Sequence, residues 1–302
     1  MESPSVSHKR IQKKPLVISP KDEAILRAFV TYRGLTAEQV TRLLYSSGSL
    51  TYVRVKLLDL VEQKYLTRFQ YPTVSSGTTP FVYTLGPAGI RYLTAIGMEL
   101  AGFKPLKEKG KEPSYYFLKH LLTLNDFLIA ATLVPRLTHD VTMQNLLHEW
   151  QLKQNPLVLA AGRDTVSVVP DAWLDCKVLV GSAKKPYAMP IWVEMDMGTE
   201  WGKKFKDKLK DIVRLIIEGV YQDRFGVKNV TVAFPTPGNE KRRDLMRSHI
   251  NAVLQELGQE AFADLFLFAC LPDNYDPQTV FLSPIWYTPT GNTPFPLLDL
   301  SD

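Results

Sequence analysis

Apolar residues recur at three- and four-residue steps through the first third of the chain. Ile25, Leu26, Phe29 and Val30 make one stripe, Val40, Leu43 and Leu44 a second, and Val53, Leu57, Leu60 and Val61 a third, as amphipathic helices require. Each stripe has a start signal. Ser19-Pro20-Lys21-Asp22 supplies an N-cap serine, a proline at the first position and an acid three residues on, and Thr36 and Ser49 open the next two helices. The period then shortens. Residues 65–69 and 80–85 read as the strands of a hairpin around a loop, and Leu85-Gly86-Pro87-Ala88-Gly89 starts a further helix. Three short helices followed by a hairpin are the order of a winged helix-turn-helix. The pattern predicts one over 16–98.

Residues 99–114 are rich in Lys, Gly and Pro and read as a linker. Residues 115–134 form an apolar helix that carries His120, Asn125 and Asp126 and stops at Pro135. A strand over 141–152 follows, then a β-rich run over 166–180 broken at Pro170, a turn at Lys184-Lys185-Pro186 and a strand over 188–197,. Trp201, Phe205, Leu209, Ile212, Ile216 and Val220 mark a helix. A strand over 227–234, a helix over 240–257 and a strand over 263–270 complete the order α-β-β-β-α-β-α-β. That order suits a mixed sheet flanked by helices, an α+β or α/β architecture. The expected division is a basic disordered arm over 1–15, the winged helix over 16–98, the linker over 99–114, the sheet domain over 115–280 and a tail over 281–302.

Composition changes this picture little. A length of 302 residues makes two domains the default,. The net charge of +5 and the pI near 9.0 lean toward a polyanionic partner. Cys176 and Cys270 fall in apparent strands without metal-ligand spacing, so buried thiols in a reducing compartment are expected. With no secretory signal and no apolar run approaching a membrane span, the expected location is the cytoplasm. Walker, dinucleotide and nucleophile-elbow motifs are absent. The five histidines are scattered, unlike those of a histidine-metal relaxase.

The candidate chemistry lies between Pro170 and Lys208. Alternation puts Trp192, Glu194 and Asp196 on one face of their strand. The two carboxylates, roughly 7 Å apart at their Cα atoms, can converge on a cation with Asp171 of the preceding strand. Oxygen-only ligands suit magnesium or manganese. Behind them Glu200, Lys204 and Lys208 stack at i, i+4 and i+8. Carboxylates that hold a metal and lysines that neutralise charge suit a phosphodiester.

Pro170-Asp171 on one strand, Glu194-Met195-Asp196 on the next and a lysine-bearing helix behind them resemble the PD-(D/E)xK nuclease pattern. Together with the amino-terminal half, the chain from about Ser19 to Cys270 resembles the replication-relaxation family of plasmid and mobile-element proteins, whose members look like a winged helix joined to a nuclease-like domain. The resemblance implies metal ligation by Asp171, Glu194 and Asp196 and catalytic roles for these acids and for Lys204 and Lys208. It also makes Asp126 or His120 on the opening helix a candidate. The pattern normally closes in Glu-x-Lys, where this chain has Glu194-Met195-Asp196. Either Lys204 or Lys208 takes that place, or the fold keeps its shape without its chemistry.

In the winged helix, the third helix would enter the major groove with Ser49, Thr51, Tyr52, Arg54 and Lys56 outward, and Arg68 and the loop 73–79 would form the wing. Two functions follow. One is a DNA endonuclease that uses magnesium or manganese and is targeted by its winged helix. The other is a DNA-binding regulator or accessory factor with a degenerate nuclease-like domain. A transcription factor whose second domain binds a small ligand fits the tryptophans Trp173, Trp192 and Trp201 but has no motif. Double-stranded DNA is the expected partner, with replication or relaxosome proteins and a second copy of the chain as further candidates, and no membrane.

Overall fold

The computed structural model describes residues 17–71, 79–106, 113–161, 164–199 and 202–301. Its first part is the predicted run of helices and hairpin. Helix α1 (Pro20–Tyr32) starts in a capping box in which Asp22 N donates to Ser19 Oγ and Ser19 N donates back to Asp22 Oδ2,. Strand β1 (Leu35–Thr36), α2 (Ala37–Leu44) and α3 (Leu50–Glu62) follow. Strands β2 (Leu66–Gln70) and β3 (Phe81–Leu85) pair antiparallel, and β1 adds to the far side of β3. Helix α4 (Pro87–Ala95) closes the unit. A Cβ at Gly86 would stand 2.4 Å from Lys64 O, and one at Gly89 2.3 Å from Tyr65 O, so glycine is what lets α4 begin against the chain entering β2. The expected wing loop lies mostly outside the described residues.

The second part is built on a six-stranded sheet. Helix α5 (Tyr115–Leu133) leads to β4 (Val141–His148), the short α6 (Glu149–Leu152) and a hairpin of β5 (Leu157–Ala161) and β6 (Asp164–Val168). Next come β7 (Ala172–Val180), β8 (Lys185–Val193), α7 (Gly202–Ile217), α8 (Val220–Phe225), β9 (Thr231–Pro237), α9 (Glu240–Leu257), β10 (Phe266–Leu271) and β11 (Trp286–Tyr287). The order across the sheet is β11-β10-β9-β8-β7-β4. Strands β4, β7 and β8 pair antiparallel, whereas β8, β9 and β10 run parallel. The parallel pairs need crossovers, and α7 and α9 supply them. The architecture is mixed α and β, as the periodicity predicts.

Strict alternation divides the core. Trp173, Trp192, Val232, Phe234, Phe266 and Phe268 pack with Leu209, Ile212, Met246 and Ile250 of α7 and α9. Ala172, Leu174, Ile191, Val193, Ala233 and Leu267 face the other way, toward Leu124, Phe127 and Leu128 of α5. Several boundaries differ from the sequence reading, among them the strand expected over 188–197, which runs Lys185–Val193 and ends just before Glu194. The strand expected over 141–152 turns into a helix at Glu149. The strand expected over 227–234 instead runs Thr231–Pro237, carrying Pro235 and Pro237 as it pairs with β10. The stripe running to Val220 breaks at Gly219, whose φ of 67° is left-handed,. The tail, whose packing the sequence left open, lies on the sheet domain, since Trp286 is fully buried, donates from Nε1 to Val280 O at 2.7 Å and sits in β11 against β10.

The two parts share one core, because the buried residues of α1–α4 are continuous with those of α5 and the sheet. Polar bonds pin the junction. Asn125 Nδ2 donates to Tyr32 O and Gly34 O, Trp150 Nε1 to Val30 O, and Gln39 Nε2 to Leu122 O and Asp126 Oδ1. Arg42 pairs with Asp126 at 2.6 Å. Residues Tyr115–Arg136 have the length and apolarity of a bilayer span, which the sequence reading did not anticipate, and most of this stretch is buried inside the protein. Asn125 is fully buried, so Asn125→Ala strands two carbonyls and is expected to cost about 1–3 kcal/mol. Urea unfolding should show this as one shifted transition. Two separate transitions with only one displaced would mean that the parts fold independently.

Candidate functional site

Asp171 and Glu194 are neighbours because of strand register. Ala172 pairs with Val193 as the outermost couple of β7 and β8, so the residues just beyond that pair meet at the same sheet end. Asp171 N still donates to Val193 O at 3.1 Å, while Glu194 N and Asp196 N donate to Ala233 O and Pro235 O alongside β9. Both acids line a cavity of about 320 Å³ with His120 and Phe117 of α5, Glu149 and Lys153 at α6, and Phe205 and Lys208 of α7.

Every charge in the cavity wall is answered. Asp171 Oδ2 accepts from Met195 N at 2.8 Å and lies 3.2 Å from His120 Nε2. Glu194 Oε1 accepts from Trp192 Nε1 at 2.6 Å, the i, i+2 neighbour on the same strand face, and Oε2 lies 3.0 Å from Lys208 Nζ. Lys153 pairs with Glu149 across one helical turn. Burial favours a neutral Asp171, but His120, Lys208 and the Met195 N–H outweigh it and hold its pKa below the ordinary value. For Glu194 burial prevails over Lys208, the Asp171 charge adds to it, and the pKa is raised. His120 loses to burial but gains more from Asp171, so its pKa is raised. The two carboxylates thus have opposite tendencies, Asp171 remaining an anion and Glu194 more readily taking a proton.

Asp196 follows a different course. Arg242 Nε and Nη2 donate to its two oxygens at 2.6 and 2.8 Å, and the guanidinium lies over the Phe205 ring. Of the helix lysines, Lys208 reaches the acids, and the side chain of Lys204 lies outside the described residues, as does Glu200. His120 reaches the site, whereas Asp126 is engaged by Arg42 and Gln39 at the junction. Among the described residues no three His, Cys, Asp or Glu side chains gather closely enough to cage a metal by themselves. Sequence reasoning passed over Lys153, and it set Arg242 with Lys241, Arg243 and Arg247 on the exposed side of α9, whereas Arg242 is buried and bonded to Asp196. The signal for Arg242 was present, since it shares the apolar stripe of α9 with Met246 and Ile250.

On α3, Thr51, Tyr52 and Arg54 are exposed, and Ser49 at its start is half-buried. Arg54 makes an exposed pair with Glu38 at 2.7 Å, an interaction of little net worth that a phosphate or base can displace. Lys56 is committed inward, 2.9 Å from the buried Asp22 that caps α1. Arg68 lies over the Phe81 ring at 4.4 Å and shares a groove with Arg54 and Tyr83.

The chain belongs to the replication-relaxation family, whose model matches residues 26–231. That membership suggests a role in plasmid or mobile-element replication or relaxation. No curated protein and no solved structure matches the chain.

His148, at the end of β4, is buried and influenced by Arg33, Asp171 and His120. Burial pushes its pKa down to about 3, so it is neutral in the folded state, against about 6.5 when unfolded. The unfolded chain therefore binds the extra proton first. This contribution to stability is complete above about pH 6.5 and is lost as pH falls toward about 3. His148→Gln is expected to flatten the decline in Tm between about pH 7 and about pH 5, followed by circular dichroism. An unchanged slope would contradict a buried neutral imidazole.

Proposed function

We propose that the protein binds DNA through a winged helix formed by α1–α3 and the β2–β3 hairpin, and that its sheet domain cleaves or nicks a phosphodiester with a divalent metal. The observation that carries this reading is the Lys208–Glu194 contact at 3.0 Å. It brings a cation from α7 to the place that the Glu194-Met195-Asp196 sequence leaves without a lysine. The exposed Thr51, Tyr52 and Arg54 would face the major groove.

Asp171 and Glu194 form an oxygen-only donor pair on one cavity wall. Magnesium or manganese suits such a pair, because these ions take one or two carboxylates, keep waters and complete their shell with phosphate oxygens. Asp196 does not fit that set, since Arg242 occupies both its oxygens. A bound ion would supply an acidified water and withdraw charge from the phosphate. The chain's own groups do the positioning. Trp192 and Met195 N fix the two carboxylates, His120 holds Asp171 in its anionic form, and Lys208 and Lys153 present cations to the phosphate oxygens. Phe117, Phe205 and Met195 exclude bulk water from the wall.

A non-catalytic accessory role is the second reading. It is favoured by the lack, among the described residues, of three metal-capable side chains in one cluster. Nicking of supercoiled plasmid in magnesium separates the two. The parent protein is expected to nick, Glu194→Gln to be inactive, and Lys208→Ala to be slower by about 10²–10³-fold. Undiminished nicking by Glu194→Gln would remove this site, and a parent that binds duplex but never cuts would support the accessory role.

A further inference from the structure

Three aromatic side chains, Tyr115, Tyr116 and Phe117, open α5 immediately before His120. Tyr116 is 70% exposed, more than any other aromatic ring among the described residues. It packs edge-on against Tyr115 with centroids 5.4 Å apart, and Tyr115 packs in the same way on Tyr71, just beyond β2, at 5.5 Å. A row of three rings therefore runs from the loop end of the β2–β3 hairpin to the first turn of α5. The next residue, Phe117, lines the cavity wall, with the Arg33 guanidinium 5.8 Å from its ring centroid.

Helix geometry links this row to the acids. Tyr116, Lys119 and His120 stand at i, i+3 and i+4 on one face, so the exposed ring is one turn, about 5.4 Å along the axis, from the imidazole that contacts Asp171. A single exposed tyrosine would need no explanation. Contiguous rings, bordered by the cations Arg33 and Lys119 and ending at a cavity that holds Lys208 and Lys153, match what a single strand offers: flat bases along an anionic backbone. A duplex matches less well, because its bases are already stacked and a cavity of about 320 Å³ has the capacity of a small-molecule pocket.

We propose that Tyr71, Tyr115 and Tyr116 form a stacking platform for unpaired bases and lead single-stranded DNA into the Asp171–Glu194 cavity. The proposal rests on the reading of that cavity as a phosphodiester site and names its substrate as a strand with unpaired bases. With duplex held by α3, the protein would work where duplex opens into single strand.

The test is fluorescence anisotropy with a short oligothymidylate and, separately, a blunt duplex, both in excess chelator. No cleavage occurs there, so failure of the platform and failure of the nuclease reading are told apart. Tyr116→Ala removes an exposed ring and leaves the core intact. It is expected to weaken oligothymidylate binding about tenfold with duplex affinity unchanged, and Tyr116→Trp is expected to retain single-strand binding. Equal oligothymidylate affinity in parent and Tyr116→Ala would overturn the platform. So would a parent that does not bind oligothymidylate, or an equal loss on duplex.

Discussion

A buried carboxylate beside a half-buried one is repelled by it and loses hydration, a combination that costs several kcal/mol per unpaired ion. Register forces that arrangement here, because Asp171 and Glu194 flank the terminal Ala172–Val193 pair of β7 and β8. The surrounding structure is what makes it tolerable. Lys208 reaches in from α7, His120 from α5, and the Trp192 and Met195 N–H groups donate from the sheet itself. Each of the three layers therefore has a polar group committed to this one place. Structural needs alone are met more cheaply by apolar residues of similar volume, and the proposed phosphodiester role would account for the charge here.

The second organising feature is α5. One turn of this helix faces the cavity through His120, and less than two turns later Asn125 and Asp126 bond to the amino-terminal unit. The amino-terminal unit, with its proposed DNA face on α3, and the candidate chemical site are thus joined through one helix within one continuous core. Duplex held on α3 would be presented at a fixed attitude to the cavity, in contrast to the adjustable geometry of a flexible tether.

Much of this was legible in the sequence because it is local. Capping boxes at Ser19 and Thr36, helical stripes and strand alternation specified the elements, and the Pro170 break placed Asp171 beside Glu194. What escaped depends on packing. The phase of α7 against the sheet decides which of its lysines reaches the acids, and Lys204 and Lys208 share a face in sequence. Glu149-Trp150-Gln151-Leu152 alternates like a strand, which leaves the register of Glu149 toward the cleft of Asp171 open, and the turn into α6 there is what carries Lys153 to the cavity beside it. Nothing local marks Gln39 and Arg42, because their partners are more than 80 residues away on α5. Arg242 lay on an apolar stripe, and a buried arginine on such a stripe implies a buried acid. Asp196 was that acid.

Calorimetric titration of manganese into the intact protein tests the central claim most directly, with an Asp171→Ala/Glu194→Ala double variant beside it. The arrangement of Asp171 and Glu194 calls for saturable binding in the parent that disappears in the double variant. Binding that survives the double substitution, or no binding to the parent even with DNA present, would contradict the assignment of this carboxylate pair as a metal-dependent site.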